Sequence, residues 1–334
     1  NLLLLFTVMA GCSDQTSDLD FQSNSNTTIG GDVQKKNAAL ETDDEILELR
    51  VAPNPERNAY FGDLHVHTTY SFDAFAFGTL ATPYDAYRYA KGQALTHPGG
   101  YQIQLERPLD FYAVTDHAMF LGVAKEAANT NSAFSRHEVS KPLHNLNEED
   151  NYGETSLIAR GKVFSTFVRD VGRRLKNGTI DQKQLVDISK SAWLDIIKAA
   201  DEANVPGKFT AFVAYEYTTS TDKRGNLHRN VIFRDSDKLP AMPFSRFNSQ
   251  NPEGLWDWMD NMRAKGKESL AIPHNSNGSN GQMFKLTDWA GNPLSDDYAG
   301  QRMRNEPLVE ITQVKGTSDT HPLLSKNDEW ADFE

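Results

Sequence analysis

The sequence has a single cysteine, Cys12, among its 334 residues, so no disulfide can form within the chain. Its first apolar run, residues 2–10, is too short to span a bilayer as a helix.

Lysine and arginine together number 34 against 46 aspartates and glutamates, which gives a net charge of −12 without any basic stripe. A nucleic-acid partner is therefore not expected, because nothing in the sequence would neutralise a row of phosphates.

Residues 1–12 have the form of a bacterial signal peptide of the lipoprotein type. An apolar segment is followed by Ala10, Gly11 and then Cys12, and this end resembles a lipobox, in which the cysteine is lipidated after export. Lipidation would explain the single thiol of an exported protein, and the alternative is a buried cysteine beside an ordinary signal peptide. With Ser13 next, the resemblance implies the periplasmic face of the outer membrane, with a soluble periplasmic or secreted protein as the alternative.

Residues 13–58 are rich in serine, asparagine, threonine and aspartate. This composition predicts a flexible tether between the lipid and a folded domain over residues 59–334. An N-terminal segment without a spacer role fits the composition equally well. Within the domain, the long polar stretch 118–187 has helix-compatible pieces and predicts an inserted lid or substrate-binding segment.

Strand-like and helix-like segments alternate through the domain. Apolar runs that end in polar residues predict strands before His67 and at residues 110–114, 209–215, 231–233, 269–272 and 307–311. Thr82 as N-cap and Pro83 at the first helical position begin one of the predicted helices, which cover residues 82–91, 188–203 and 252–264. The strands are continuously apolar, which is typical of strands buried on both faces in a parallel sheet or an α/β barrel.

Two histidines on the first strand begin the candidate site. Residues i and i+2 of a strand point to the same side, so His65 and His67 can reach one point in space. Imidazoles are the commonest protein ligands of zinc-like metals, and Asp73 adds a carboxylate oxygen shortly afterwards. The alternative is a pair of ordinary strand histidines without a ligand.

Further candidates lie at the ends of later apolar runs, where α/β barrels collect their catalytic residues. His117 follows Asp116, whose carboxylate could orient the imidazole, and the alternative is an ordinary turn histidine. Glu216 ends an apolar run, so its carboxylate needs either a metal ion or a buried salt bridge with Arg224 or Arg229.

Two more histidines complete the candidates. His274 follows the apolar run at residues 269–272, whereas His228 lies in a polar loop and gives only a weak signal by itself. The remaining histidines lie in polar segments and are expected at the surface: His97, His137 and His144.

Taken in order, these residues resemble the successive motifs of the PHP family (polymerase and histidinol phosphatase). The motifs are His65-Val66-His67 with Asp73, Thr115-Asp116-His117, Glu216, His228 and Pro273-His274-Asn275. The sequences at residues 60–68 and 107–117 resemble more closely a bacterial branch, the domain of unknown function 3604. The resemblance covers residues 58–334 and implies a distorted (β/α)7 barrel that holds two or three divalent ions at the C-terminal ends of its strands.

Residue by residue, the resemblance implies seven metal ligands, and Asp116 is a candidate supporting residue beside His117. The ligands are His65, His67, Asp73, His117, Glu216, His228 and His274. Mixed histidine and carboxylate ligands suit zinc, manganese or iron, and the sequence does not choose among these metals.

The family ends with an Asp-x-His motif, whose letters Asp319 and His321 fit. Only residues 312–317 separate them from the preceding predicted strand, where the family has a helix and another strand. We therefore interpret Asp319 and His321 as a look-alike, and we expect the true pair and the rest of the barrel beyond Glu334.

The predicted ligands point to an exported metal-dependent hydrolase. Two or three ions can activate a bridging water and stabilise the attacking and leaving oxygens, so the leading hypothesis is a metal-bound hydroxide that attacks a phosphoester. The expected partners are a small-molecule or glycan phosphoester and, through Cys12, the membrane. The alternatives are an amidohydrolase-like enzyme that cleaves a C–N or C–O bond and a lipoprotein that binds a ligand without catalysis.

Overall fold

The computed structural model describes residues 57–148, 156–221, 224–313 and 316–317. Its strands are β1 (Gly62–Val66), β2 (Leu95–Thr96), β3 (Gln102–Ile103), β4 (Phe111–Val114), β5 (Thr210–Tyr217), β6 (Ser220–Thr221), β7 (Gly225–Asn226), β8 (Arg229–Phe233), β9 (Ser269–Pro273), β10 (Thr312–Gln313) and β11 (Gly316–Thr317). Its α-helices are α1 (Phe72–Ala76), α2 (Pro83–Ala90), α3 (Val123–Ala128), α4 (Leu157–Lys176), α5 (Gln182–Ala203), α6 (Pro252–Arg263) and α7 (Asp296–Asn305). Short 3-10 helices cover Phe134–Arg136, Glu138–Leu143 and Ser276–Gly278. The predictions for Cys12, Asp319 and His321 lie outside the described residues.

A five-stranded sheet forms the centre of the fold, with the strand order β1-β4-β5-β8-β9. β1, β4 and β5 are parallel to one another, whereas β8 is antiparallel to both of its neighbours, β5 and β9. The sheet curls into half of a barrel and helices pack against it, so the predicted α/β class is confirmed. Within the described residues this sheet has five strands, and the further strands of a (β/α)7 barrel stay a prediction.

The direction of β8 departs from the parallel strands that the continuous apolar runs predict. A parallel neighbour of β5 would need a crossover of a dozen or more residues, usually with a helix. Residues 218–228 connect β5 to β8, and within them Ser220 and Thr221 pair with Asn226 and Gly225 in a small hairpin. This short connection returns the chain directly, so β8 runs antiparallel to β5.

Apolar side chains cover both faces of the sheet. On one face, Trp193 and Ile196 of α5 and Leu255 of α6 pack with Tyr215 and Val231 of the sheet. Alternate residues of the same strands point to the opposite face and form a smaller cluster, made by Ala113, Ala214, Ile232 and Ile272. Burial on both faces explains why these strands appear in the sequence as continuous apolar runs.

Side-chain caps set where the helices begin. Thr82 and Asp85 form a capping box at the start of α2, which confirms this prediction. α5 begins before residue 188, the predicted start, because the Asp181 carboxylate accepts a hydrogen bond from Lys183 N and provides an earlier cap. None of the helices in the described ranges has the length and apolar character needed to cross a membrane.

The described part of the predicted insertion, residues 118–187, forms a helical layer that contains α3, α4 and the start of α5. This layer has its own buried core, in which Phe164 of α4 stacks on Phe72 of α1 with ring centroids 5.6 Å apart. α1, which follows His67 in the chain, also carries Asp73. The helical layer therefore packs against the helix that holds this candidate ligand.

The predicted strand at residues 307–311 is wrong, because these residues have no regular secondary structure. Glu310 N donates a hydrogen bond to Pro273 O at 3.1 Å, and the next strand pair is the β10–β11 hairpin. Val309 and Ile311 are exposed, so the segment lacks the apolar cover of a buried strand.

A buried ion pair ties β8 to the end of α7. Arg229 Nε lies 2.7 Å from Glu306 Oε1, and both side chains are almost fully buried. Trp256 Nε1 donates to the same oxygen at 2.8 Å, and Arg302 Nε donates to Glu306 Oε2 at 3.1 Å. Because a buried charge is costly unless it is paired, these four residues hold α6, α7 and β8 in fixed positions.

We expect Glu306→Gln to lower the free energy of unfolding by about 3 kcal/mol, because it leaves the Arg229 guanidinium buried without its carboxylate. Urea unfolding followed by circular dichroism measures this change. The matched control is Glu268→Gln, which breaks an exposed ion pair with Arg234 next to the same strands and should leave the unfolding midpoint unchanged. Equal effects of the two substitutions would contradict the role of the buried pair.

Candidate metal centre

Glu216 lies at the centre of the predicted site. It belongs to β5, one residue before the strand ends, and its side chain is 0% exposed. Its backbone is paired on both sides, with His117 beyond the end of β4 and with Asn230 of β8. The sheet therefore holds a carboxylate at a fixed position in the interior, where an unbalanced negative charge would be strongly unfavourable.

Three groups surround Oε1 of Glu216. His117 Nδ1 lies 3.0 Å away and His228 Nδ1 lies 2.9 Å away, while the Thr218 hydroxyl donates a hydrogen bond at 2.9 Å. On its other side, His117 Nε2 lies 3.0 Å from Asp73 Oδ2. The His117 ring is therefore placed between two carboxylates, one from β5 and one from α1.

Three other histidines surround Oε2 of Glu216. The Nε2 atom of His67 lies 3.2 Å away, and those of His65 and His274 each lie 3.5 Å away. Within the described part of the chain, Oε2 and both ring nitrogens of His274 have no hydrogen-bond partner. Two atoms that bind one ion at about 2.1 Å lie roughly 3.0–3.5 Å apart, so these separations fit ligands that share a metal ion.

His65 also contacts a carboxylate that the sequence reasoning did not include among the ligands. Its Nδ1 atom lies 2.8 Å and 3.1 Å from the two oxygens of Glu310. A signal for this residue was available, because Glu310 stands between Val309 and Ile311, and a carboxylate among apolar residues is also what marked Glu216.

The sheet brings the predicted ligands together at one edge, although they are far apart in sequence. His65 and His67 come from the end of β1, His117 follows β4, and His274 follows β9. His228 precedes β8, and the reversed direction of this strand places its N-terminal end at the same edge. Because β8 is antiparallel, the residue before its N-terminal end lies at this edge and supplies a candidate ligand. A parallel strand would have placed its C-terminal end here.

Asp116 was expected to orient the adjacent His117, but its carboxylate is directed to Thr68 and Ser71, and Ser71 contacts His67. The Asp116 carboxylate accepts hydrogen bonds from the backbone N–H and the hydroxyl of Thr68, each at 2.6 Å, and from the Ser71 hydroxyl at 2.8 Å. Ser71 Oγ also lies 2.8 Å from His67 Nδ1. Since the single hydroxyl proton of Ser71 goes to Asp116, His67 Nδ1 is the donor, and Nε2 is left facing Glu216 as a ligand atom.

A second serine orients His228 in the same way. The Ser220 hydroxyl donates to Asn226 Oδ1 at 2.7 Å, and its oxygen lies 2.8 Å from His228 Nε2. His228 Nε2 is therefore the donor, which leaves Nδ1 directed at Glu216 Oε1. Neither serine was predicted to orient a histidine, because the contact between a hydroxyl group and an imidazole is defined only by the folded structure.

The carboxylates determine the protonation of the histidines. Burial lowers the pKa of His65, but hydrogen bonds to Glu216 and Glu310 outweigh this effect and raise the pKa to about 9. Burial also opposes protonation of His117, yet Asp73 and Glu216 raise its pKa to about 10. Burial disfavours the ionised form of Glu216, but the surrounding imidazoles hold its pKa well below the usual value. The negative charge of these carboxylates can be balanced either by protons on the histidines or by metal ions. Metal binding would therefore release protons.

The predicted alternative of a salt bridge at Glu216 does not occur. Arg229 pairs with Glu306, and the Arg224 guanidinium carbon lies 3.6 Å from the ring centroid of Trp289. The charge of Glu216 is therefore balanced by imidazoles and not by either arginine.

The side chains of this cluster could hold metal ions. They form four overlapping sets of three ligands, which are His65 with His274 and Glu310, His65 with His67 and Glu216, His67 with Asp73 and His117, and Glu216 with His228 and His274. All seven predicted ligands are among them, together with Glu310. Nitrogen and carboxylate donors suit zinc, manganese or iron, and both the metal and the number of ions stay predictions.

We expect His274→Gln to lower the amount of bound metal, because this buried imidazole belongs to two of the four ligand sets. Elemental analysis after dialysis against metal-free buffer measures the metal content. The control is His137→Gln, which changes a histidine whose Nε2 contacts Gln184 outside the cluster. Equal metal content in both variants would exclude His274 as a ligand.

The comparisons with known proteins add a family to this geometry. Residues 54–334 match the family described as "Protein of unknown function (DUF3604)". No curated protein and no solved structure matches the chain. Since the matched region includes the whole sheet and every ligand of the cluster, the chain belongs to the DUF3604 family.

Proposed function

We propose that this chain is a metal-dependent hydrolase that acts on phosphoesters. The observation that carries the proposal is the fully buried Glu216 carboxylate with five imidazoles within 3.5 Å of its oxygens. Such an arrangement is costly as a purely structural feature, because among the described residues Glu216 Oε2 and both ring nitrogens of His274 are buried without a hydrogen-bond partner. It is well suited to holding several divalent ions side by side.

The charge of the cluster favours an anionic substrate. Three carboxylates lie in the cluster, those of Asp73, Glu216 and Glu310. Two or three divalent ions would bring more positive charge than these carboxylates remove, so the loaded site would attract phosphoryl oxygens. Bound ions would supply an activated water and stabilise charge on the attacking and leaving oxygens.

The protein residues keep this arrangement rigid. Glu216 is fixed by the backbone pairing of β5 on both sides. The Thr218 hydroxyl holds its Oε1 atom, and the Asp116–Ser71 pair sets the ring orientation of His67. Ligands that are oriented before an ion or a substrate binds need no rearrangement during the reaction, which is what electrostatic catalysis requires.

The proposal extends to the PHP superfamily. Its support is the order of the ligands along the chain together with the half-barrel that gathers them at one edge. In this interpretation the remaining strands of a (β/α)7 barrel and a final Asp-x-His pair complete the site.

We also propose that the protein is exported and anchored by a lipid on Cys12. The support is the apolar segment that ends in Ala10, Gly11 and Cys12, the only thiol of the chain. The polar residues 13–58 would then connect the membrane to the hydrolase domain, which would face the periplasm.

We expect the chain loaded with zinc, manganese or iron(II) to hydrolyse a generic phosphoester such as p-nitrophenyl phosphate. Joint replacement of His65 and His67 by alanine should lower the rate by about 100-fold or more, because two ligands of the same ion are lost. Steady-state rates measured with and without a chelator, together with metal content, test this expectation.

The control is joint replacement of His97 and His144, which lie outside the ligand cluster and should leave the rate unchanged. Full activity in the metal-free protein, or in the His65 and His67 variant, would refute the proposal. Turnover of amide or glycoside substrates instead of phosphoesters would favour the amidohydrolase-like alternative.

The lipid anchor has its own test. When the chain is expressed with a complete N-terminal signal in a Gram-negative host, we expect a fatty-acid label on the wild type and no label on Cys12→Ser, because the variant has no thiol to modify. Ser13→Ala is the control and should remain labelled. A labelled Cys12→Ser variant would refute lipidation at this position.

A further inference from the structure

A small pocket of about 20 Å³ lies beside the ligand cluster. Three of the candidate ligands line it, namely Asp73, His117 and His228. The other lining side chains are those of Phe72, Met119, Phe164, Thr218, Ser220, Asn226 and Arg246. Among the described residues that line it, Arg246 is the only arginine or lysine.

Arg246 is 4% exposed and belongs to the segment between β8 and α6. This segment is firmly attached to the end of β5, since the Tyr217 hydroxyl donates to Ser249 O at 2.7 Å and the Thr219 hydroxyl donates to Gln250 O at 3.0 Å. Next to the arginine, Phe247 packs on Phe120 of the helical layer with ring centroids 5.1 Å apart. The position of the guanidinium is therefore set by the fold and does not depend on a mobile loop.

Arg160, another buried arginine, has a structural role. Arg160 donates to the carbonyl oxygens of Ala76 and Leu146 and to Asn147 Oδ1, and it does not line the pocket. Arg246 differs because it shares a pocket with His117 and His228. A guanidinium next to a cluster of metal ligands has the chemistry of a group that binds the substrate.

The chemistry of the pocket selects one class of ligand. A guanidinium presents N–H donors in a planar fork that matches two oxygens of a phosphate or sulfate group, and its charge counts for more where water is excluded. Phe72, Met119 and Phe164 of the helical layer form the apolar part of the lining. A tetrahedral oxyanion therefore matches the guanidinium as the polar partner in this pocket.

We propose that Arg246 and the pocket between α1, α4 and the ligand cluster form a subsite for a tetrahedral oxyanion of the substrate. The inference rests on the proposed hydrolase function, which it deepens by assigning a residue to substrate binding. It also gives the helical layer of residues 118–187 a role, because Phe164 of this layer lines the pocket.

The test is calorimetric titration of inorganic phosphate, and separately of sulfate, into the metal-loaded protein. We expect phosphate to bind to the wild type. Its affinity for Arg246→Met should be about 30-fold lower, because the charge and the planar fork of donors are both lost. Its affinity for Arg246→Lys, which keeps the charge but loses the fork, should be about 10-fold lower. Elemental analysis should show the same metal content in all three proteins. Arg224→Met is the control, because it removes a nearby arginine that stacks on Trp289 and should leave the affinity unchanged.

Equal phosphate affinity in the wild type and Arg246→Met, or no binding of either anion to the loaded wild type, would overturn the subsite. If Arg246→Met fails to fold, as judged by circular dichroism, Arg246→Lys decides the question, and an unchanged affinity there would equally overturn it. Tighter sulfate than phosphate binding would support the subsite and assign it to a sulfate ester. A protein that binds phosphate through Arg246 but hydrolyses no phosphoester would refute the proposed function and leave the subsite intact.

Discussion

The structure depends on balancing one negative charge in the interior of the sheet. Glu216 is fully buried, and its backbone is paired with strands on both sides, so the carboxylate cannot turn towards solvent. Burial of an uncompensated carboxylate would cost more than a typical domain gains from folding. Five imidazoles surround it, and three hydroxyl groups hold it or orient the rings next to it. Much of the loop structure at this edge of the sheet therefore serves to balance the charge of Glu216.

The sequence predicted the parts of the site that depend on local pattern. The two-residue spacing of His65 and His67 implies a shared side of a strand, and an apolar run before Glu216 implies a buried carboxylate. It missed the direction of β8, because that depends on the short connection at residues 218–228 and not on the strand itself. It missed Glu310 as a ligand because its neighbours suggested a strand that the tertiary structure does not form.

Arg246 illustrates a different limit of sequence reasoning. Its neighbours form no continuous apolar run, because proline, serine and asparagine separate the two phenylalanines of this segment. The local sequence therefore does not indicate that the arginine is buried. Its low exposure arises from hydrogen bonds between residues 249–250 and the end of β5, and from an aromatic contact with a distant helical layer. Burial that results from packing between separate segments leaves no periodic signal along the chain.

The ligands extend from His65, in the first strand, to Glu310, close to the last described residues. A site of this kind has no local precursor, because its residues meet only after all five strands of the sheet have been synthesised and paired. Divalent metals compete according to both affinity and availability, and selectivity depends on which ions are present when the site forms. Under the proposed function, the compartment in which the chain completes its folding would therefore decide which metal fills the cluster, and an ion supplied earlier during synthesis would find only scattered histidines.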